Sequence, residues 1–220
     1  MKLKNNIRLL ITCDSGAGSG KTTAAKYLSK KFKLKLLTSG LLYRFVAYKL
    51  LKNKKNSHNK IFLKKITKNI NLKSVKKKNL YSPSVTQLTA EIAKKGIVRK
   101  LLKKYQIKFS KKKLAILEGR DMGILFPKAD IKFFFKCSLK IAAKRRFKEF
   151  KKNKKKIKLN EVEKSIRLRN LLDTKRKNSP LRIPDGAVIV DTSKLNKKQM
   201  FGKISRIVKD KLILKYGRNY

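Results

Sequence analysis

The chain has 220 residues, 41% of them hydrophobic, which suits one compact domain with an inserted subdomain and a real core. No apolar run approaches the roughly 20 residues of a membrane span, so no membrane partner is expected. The net charge of +51 comes from 63 basic residues against 12 acidic ones, mostly lysines spread over nearly every segment. A bias so evenly spread, without a basic patch interleaved with aromatics, is weak evidence for a nucleic-acid surface; salt-dependent adhesion to polyanions is expected as a by-product.

The opening Met1-Lys2-Leu3-Lys4-Asn5-Asn6 is basic, but Arg8 to Cys13 hold only four strongly apolar residues, too few for a secretory signal, so a cytoplasmic protein is expected. Leu9-Leu10-Ile11 predict a strand that runs into Asp14-Ser15-Gly16-Ala17-Gly18-Ser19-Gly20-Lys21-Thr22-Thr23. Glycines at 16, 18 and 20 let successive backbone N–H groups turn toward one anion, and a helix starting near Lys21 adds its positive end. This is a phosphate-binding P-loop: residues 15 to 23 cradle the phosphates of ATP, Lys21 reaches the β- and γ-phosphates and the Thr22 hydroxyl ligates Mg²⁺. Ser15 replaces the first glycine of the usual pattern.

A helix follows through Ala24, Ala25, Leu28 and Phe32, then a strand near Leu34 to Leu37, then a second helix after Thr38-Ser39-Gly40 with Leu42, Phe45, Val46 and Leu50 on one face. Residues 52 to 82 are rich in Lys and Asn and read as an inserted subdomain, and Val85 to Gln106 predict a helix interrupted near Gly96. Leu114 to Leu117 form a strand, Gly119 and Gly123 a turn, and Ile131 to Phe135 another strand. Helices around 138–150 and 160–174, a strand Ala187 to Val190 and a last helix with Met200, Ile204, Ile207, Val208 and Leu212 complete the chain. The β/α alternation predicts a parallel sheet covered by helices on both faces, with functional loops at the carboxyl ends of the strands. Cys13 and Cys137 read as packed free thiols, His58 alone does not make a zinc site, and the run Lys151 to Lys158 reads as an exposed segment.

Arginine is informative here because lysine fills most cationic positions, so an arginine marks a need for a planar fork that grips phosphate or carboxylate. Arg44, Arg99, Arg120, Arg145, Arg146, Arg169 and Arg176 all fall in motif regions, and moving phosphate between two anions needs several cations aimed at one place. Thr38-Ser39-Gly40-Leu41-Leu42-Tyr43-Arg44, Glu118-Gly119-Arg120-Asp121-Met122-Gly123 and Arg169-Asn170-Leu171-Leu172-Asp173-Thr174-Lys175-Arg176, with Pro180-Leu181 beyond, resemble the motifs of bacterial cytidylate kinase. With the P-loop, the resemblance extends from Asp14 to Asp191.

The resemblance implies an α/β P-loop NTPase-type fold with core parts 1–51 and 99–220, a nucleoside monophosphate-binding insert at 52–98 and a helical lid at 145–160. It implies a monomer that transfers the γ-phosphoryl group of ATP, with Mg²⁺, to CMP or dCMP, giving ADP and the diphosphate. Arg44 and Arg120 resemble the clamp on the acceptor phosphate, with Ser39 and Tyr43 beside them; Arg99 and Asp121 resemble the cytosine-reading groups. Arg169 and Asp173 resemble sugar contacts, Arg176 bridges the phosphates, and Arg145 and Arg146 open the lid over ATP. Lys21, Arg120 and Arg176 are thereby the catalytic residues.

The chain departs from the family pattern at Ser15-Gly16 (usually Gly-Pro), Thr38 (usually Asp), Tyr81 (often Arg), Ala90 (often Ser) and Leu172 (where an Arg can stand). Plainer readings stand beside each motif: Asp173 and Arg176 as an i,i+3 surface pair, Arg120-Asp121 as an ordinary turn, Arg99 as a solvated residue and Tyr43 as packing. The competing functions are a P-loop kinase of another acceptor such as UMP or a hydroxy acid, an RNA-stimulated P-loop ATPase, and a non-catalytic structural protein.

Overall fold

The computed structural model describes residues 6–152 and 157–217. The basic start at residues 1–5, and the 153–156 part of both the expected lid and the Lys151 to Lys158 run, lie outside the described residues. Five strands, β1 (Leu9–Ser15), β2 (Lys35–Thr38), β3 (Leu114–Gly119), β4 (Ile131–Lys136) and β5 (Val188–Asp191), form one sheet in the order β2-β3-β1-β4-β5. β1 runs parallel to β3 and β4, and β4 parallel to β5; Cys13 lies opposite Glu118 and Phe133, and Asp14 opposite Gly119 and Phe134. The near-continuous burial along β1 is what a central parallel strand requires. The alternation of strands and helices predicted from the sequence is therefore observed, and each parallel connection carries helix between its strands.

The chain divides into two compact units, Met1–Leu36 with Lys113–Tyr220, and Leu37–Lys112. In the first unit, Leu9, Ile11 and Cys13 present alternate positions of β1 to one face, together with Ile116, Phe133, Phe135 and Val190. Helix α1 (Lys21–Lys31), with Phe32 just beyond it, packs Ala24, Ala25, Leu28 and Phe32 on that face. The C-terminal helix α10 (Lys197–Tyr216) adds Met200, Ile204, Val208 and Leu212, one residue per turn. Each such side chain contributes about 1.5–3 kcal/mol by leaving water. A capping box starts α10: Asn196 accepts from the Gln199 N–H and Gln199 accepts from the Asn196 N–H, both at 2.9 Å. Tyr27 of α1 stacks on Phe201 of α10 with ring centroids 4.0 Å apart. Helices α8 (Leu139–Lys152) and α9 (Leu159–Lys175) pack through Ala142, Ala143, Val162 and Ile166. Both cysteines are free thiols, Cys13 fully buried.

The second unit holds α2 (Ser39–Lys52), α3 (Lys60–Lys68), a 3₁₀ turn at Leu72–Ser74, α4 (Lys77–Leu80), α5 (Pro83–Ile92) and α6 (Gly96–Ser110). Phe45, Val75 and Leu80 make a small core of its own. The predicted helix 85–106 is indeed two helices, broken at residues 93–95 with Gly96 opening the second. The unit extends further on both sides than the 52–98 insert marked out from the sequence. Its helices α2 and α5 pack on each other, as do α3 and α6, so the compact boundary encloses all four.

Candidate active site

The P-loop follows directly from the strand. Gly18 and Gly20 adopt left-handed backbone, φ +75 and +85, which a side chain would strain, and α1 begins immediately afterwards at Lys21. At Gly16 the close neighbour is a side chain: a Cβ there would sit 2.9 Å from Asn170 Oδ1, so that amide would have to shift. That amide belongs to α9, and its Oδ1 accepts the Ala17 N–H at 2.9 Å. Ser15, the residue that departs from the motif, is buried, and its hydroxyl accepts a 2.5 Å hydrogen bond from Ser19 Oγ. Thr22 and Thr23 lie in the first turn of α1.

Lys21 points back over the loop, its Nζ 3.4 Å from the Gly16 carbonyl and 3.6 Å from Glu118 Oε1. Burial lowers its ammonium to about 8, against the opposing pull of Glu118. The charges of Arg120 and Arg169 push the same way as burial, so both cations lie close by. Burial likewise lowers Arg120 to about 10, with Arg169 the next cause.

The turn after β3 and the end of α9 carry the remaining arginines. Arg120 Nη1 lies 2.5 Å from Asp173 Oδ2, and Asp173 Oδ1 accepts from Arg176 Nη1 at 3.1 Å. Arg176 Nη2 is 3.8 Å from Asp121 Oδ2. Arg176 stands one residue past α9 rather than within it, in extended backbone, and its Nε donates to the Ser179 carbonyl at 2.5 Å. Side-chain exposures of 9% for Arg176 and 17% for Asp173 rule out the plain surface pair. Arg120-Asp121 is not an ordinary turn either, because both side chains join this network and Asp121 is 7% exposed.

The lid arginines go separate ways. Arg145 donates to the Thr192 hydroxyl at 3.0 Å and the Thr192 carbonyl at 2.7 Å, while Thr192 Oγ1 donates to the Ser19 carbonyl at 2.9 Å. It thus ties the loop after β5 to the P-loop. Arg146 pairs with Glu149 on an exposed helix face, at 2.7 Å.

In the second unit, Ser39 opens α2 and its hydroxyl accepts from Gln106 Nε2 at 2.6 Å. Tyr43 is mostly buried with the Arg99 guanidinium 5.7 Å from its ring centre, and Arg99 also donates to the Ala93 carbonyl at 3.1 Å. Arg99 is therefore anchored rather than simply solvated. Arg44 is 9% exposed; its Nη1 donates to the Leu80 carbonyl and to Thr86 Oγ1, both at 2.9 Å. Its guanidinium lies 4.4 Å from the ring centre of Tyr81, the position where the family often has arginine.

The protein's donors fit Mg²⁺. Glu118 Oε2 is buried with no hydrogen-bond partner, and the Thr22 hydroxyl lies in the first turn of α1, directly after Lys21, so hard oxygen ligands are at hand. Among the described residues no group of three or more His, Cys, Asp or Glu gathers as a metal cage. Sequence reasoning quoted Asp14, Glu118 and Asn170 within the motifs without giving any of them a task. An acid at a strand end beside a P-loop is a readable signal for Glu118; nothing in the sequence marks Asn170.

The cytidylate kinase family model matches residues 11–210. The chain belongs to the cytidylate kinase family. It is 34% identical over 209 residues to the cytidylate kinase of Fusobacterium nucleatum, covering 90% of this chain and 96% of that one. The cytidylate kinase of Thermosipho africanus is 35% identical over 216 residues, covering 93% and 96%, and that of Rickettsia felis 34% over 204 residues, covering 92% of each. Among solved structures, TT1252 from Thermus thermophilus shares the fold at a TM-score of 0.52 and 15% identity, over 94% of this chain and 99% of that one. Among the described residues, no helix is long and apolar enough to cross a membrane.

Proposed function

We propose that the protein transfers the γ-phosphoryl group of ATP to CMP and dCMP, giving ADP and CDP or dCDP. The observation that carries the reading is the network beside the P-loop in which Lys21 meets Glu118 and Arg120 and Arg176 share Asp173, with burial first and neighbouring cations after it lowering the Lys21 and Arg120 pKa values. These buried cations, held ready by Glu118, Asp121 and Asp173, are suited to phosphates that arrive with negative charge.

Residues 15 to 23 bind the ATP phosphates through backbone N–H groups, and Lys21 carries the charge that builds on the transferring group. Thr22 and Glu118 hold Mg²⁺, which when bound neutralises phosphate charge. Arg120 and Arg176 take the acceptor and transferring phosphates, with Asp173 keeping both forks oriented beforehand. No side chain need act as a nucleophile, because an acceptor phosphate oxygen attacks in line. Ser39, Tyr43 and Arg44 contact the acceptor phosphate, Arg169 and Asp173 the sugar, and Arg99 and Asp121 the cytosine edge. A carboxylate accepts from the cytosine amino group and faces the uracil O4 with like polarity. Arg145, through Thr192 and Ser19, and Arg146 serve the ATP side. We place the protein in the cytoplasm as a monomer.

The test is an ADP-release assay with purified protein, ATP, Mg²⁺ and CMP, dCMP, UMP or AMP in turn. CMP and dCMP should exceed UMP by about a hundredfold in kcat/KM, the cost of one unpaired polar contact in a site built for a hydrogen bond. Equal use of CMP and UMP would remove Asp121 from base reading. ADP release that responds to RNA and not to CMP would favour a nucleic-acid-stimulated ATPase.

A further inference from the structure

Asp14 is fully buried at the end of the central strand, one residue before Ser15. Its Oδ1 accepts the Met122 N–H at 2.8 Å and its Oδ2 accepts the Gly123 N–H at 2.5 Å. These amides open the short helix α7 (Met122–Leu125), so neither has an acceptor within it. The cap residue of α7 is Asp121, whose side chain makes no capping bond, although aspartate is among the residues best suited to that task. A carboxylate 108 residues earlier in the chain does the capping instead. Asp121 and Arg120, directly before the capped amides, are thereby left to the Arg176 and Asp173 network.

We infer that Asp14 is a positioning residue for the reaction: by holding the Met122 and Gly123 amides, it fixes the turn that aims Arg120 and Asp121 at the acceptor. Gly123 supports the assignment from the other side. A Cβ there would meet Pro184 Cγ at 2.5 Å and Asp14 Oδ2 at 3.2 Å, so the turn docks this closely only with glycine. Burial lifts the Asp14 carboxyl to about 7 even though both N–H bonds favour its charged form; the Asp121 charge adds to the rise and Lys21 opposes it. A buried carboxylate kept at such a cost, with both oxygens spent on one turn, is suited to holding that turn rather than to touching substrate.

The inference rests on the reading that Arg120 and Asp121 handle the acceptor, and Asp14→Asn separates the two. The amide keeps the shape but turns an NH₂ donor toward one of the two N–H donors. The expected result is a loss of kcat/KM for CMP of about tenfold to a hundredfold, one to two charge-assisted hydrogen bonds, with affinity for a non-hydrolysable ATP analogue within about threefold. The CMP-to-UMP ratio of kcat/KM should also narrow, which loss of folded protein alone would not cause. A wild type without preference for CMP sinks the base reading. A wild type with the preference and a variant that keeps it unchanged overturns the positioning role. Should the variant bind no ATP analogue, hydrogen exchange on the wild-type protein decides. The Met122 and Gly123 amides should be protected by at least about a hundredfold over an open turn, and exchange at open-turn rates overturns the inference.

Discussion

Asp173 is the most exacting test of the arginine network, because one carboxylate holds two mostly buried guanidiniums, Arg120 at 2.5 Å and Arg176 at 3.1 Å. Asp173→Ala removes the shared anion and leaves both cations in place. Even with Asp173 present, Arg120 falls from the ordinary guanidinium range to about 10, mainly by burial. At 1.36 kcal/mol per pH unit that is about 3 kcal/mol already set against the charged form. Stranding a buried charge typically costs about 3–5 kcal/mol. Because Asp173 keeps some exposure to water, the lower end, about 3 kcal/mol, is expected. For a chain of this size such a loss lowers Tm by about 6–12 °C. The freed forks should then welcome an anion more strongly, so added inorganic phosphate, which needs no contact with Asp173, should raise the Tm of the variant more than that of the wild type. Differential scanning fluorimetry with and without phosphate measures both effects. A Tm within about 2 °C of wild type, or a ligand shift no larger than that of wild type, refutes the claim that Asp173 neutralises this pair.

Further expectations concern single groups. Lys21→Ala should fold normally and lose turnover by about a hundredfold or more, since charge stabilisation is the main catalytic contribution; near-normal turnover removes Lys21 from the site. In the wild type, Lys21 at about 8 implies that the KM for ATP rises as pH passes upward through that value, and a flat profile from pH 7 to 9 contradicts it. Arg176→Lys keeps the charge but loses the fork and should still cost about tenfold in kcat; equal activity means a point charge suffices. Asp14 titrates near 7 folded against 3.8 unfolded, so the folded state binds the extra proton between these values and stability falls as pH rises through that window. Urea unfolding of Asp14→Asn should show a shallower decline from pH 4 to 7 than the wild type, and parallel curves refute the shift.

The fold was legible because its signals are local. The apolar strand Leu9 to Ile11 followed by three spaced glycines and Lys-Thr admits few structures, and the one-per-turn spacing of Met200, Ile204, Val208 and Leu212 marks a helix without tertiary information. The strands at 114 and 131 are short apolar runs bounded by Lys, Gly or Asp, which also read correctly. What escaped depends on partners far apart in sequence. Asn170 reaches Ala17 across 153 positions, Arg145 reaches Thr192 across 47, and no local pattern distinguishes a lid arginine from one that ties a loop to the P-loop. Arg176 looked helical because periodicity does not reveal that α9 stops at Lys175. Arginine rarity in a lysine-rich chain was the useful site signal, since Arg120 and Arg176 do stand in one buried network with two acids. The width of the Leu37–Lys112 unit was not legible, because it is set by which helices pack together and not by the Lys/Asn-rich composition at its centre.

The most direct test of the central claim is product identity. Purified protein incubated with ATP, Mg²⁺ and CMP, and resolved by ion-pair chromatography, should yield CDP and ADP in equal amounts, with neither formed by Lys21→Ala prepared in parallel. ADP without CDP, or CDP formed equally well by the Lys21 variant, would contradict phosphoryl transfer to CMP at this P-loop.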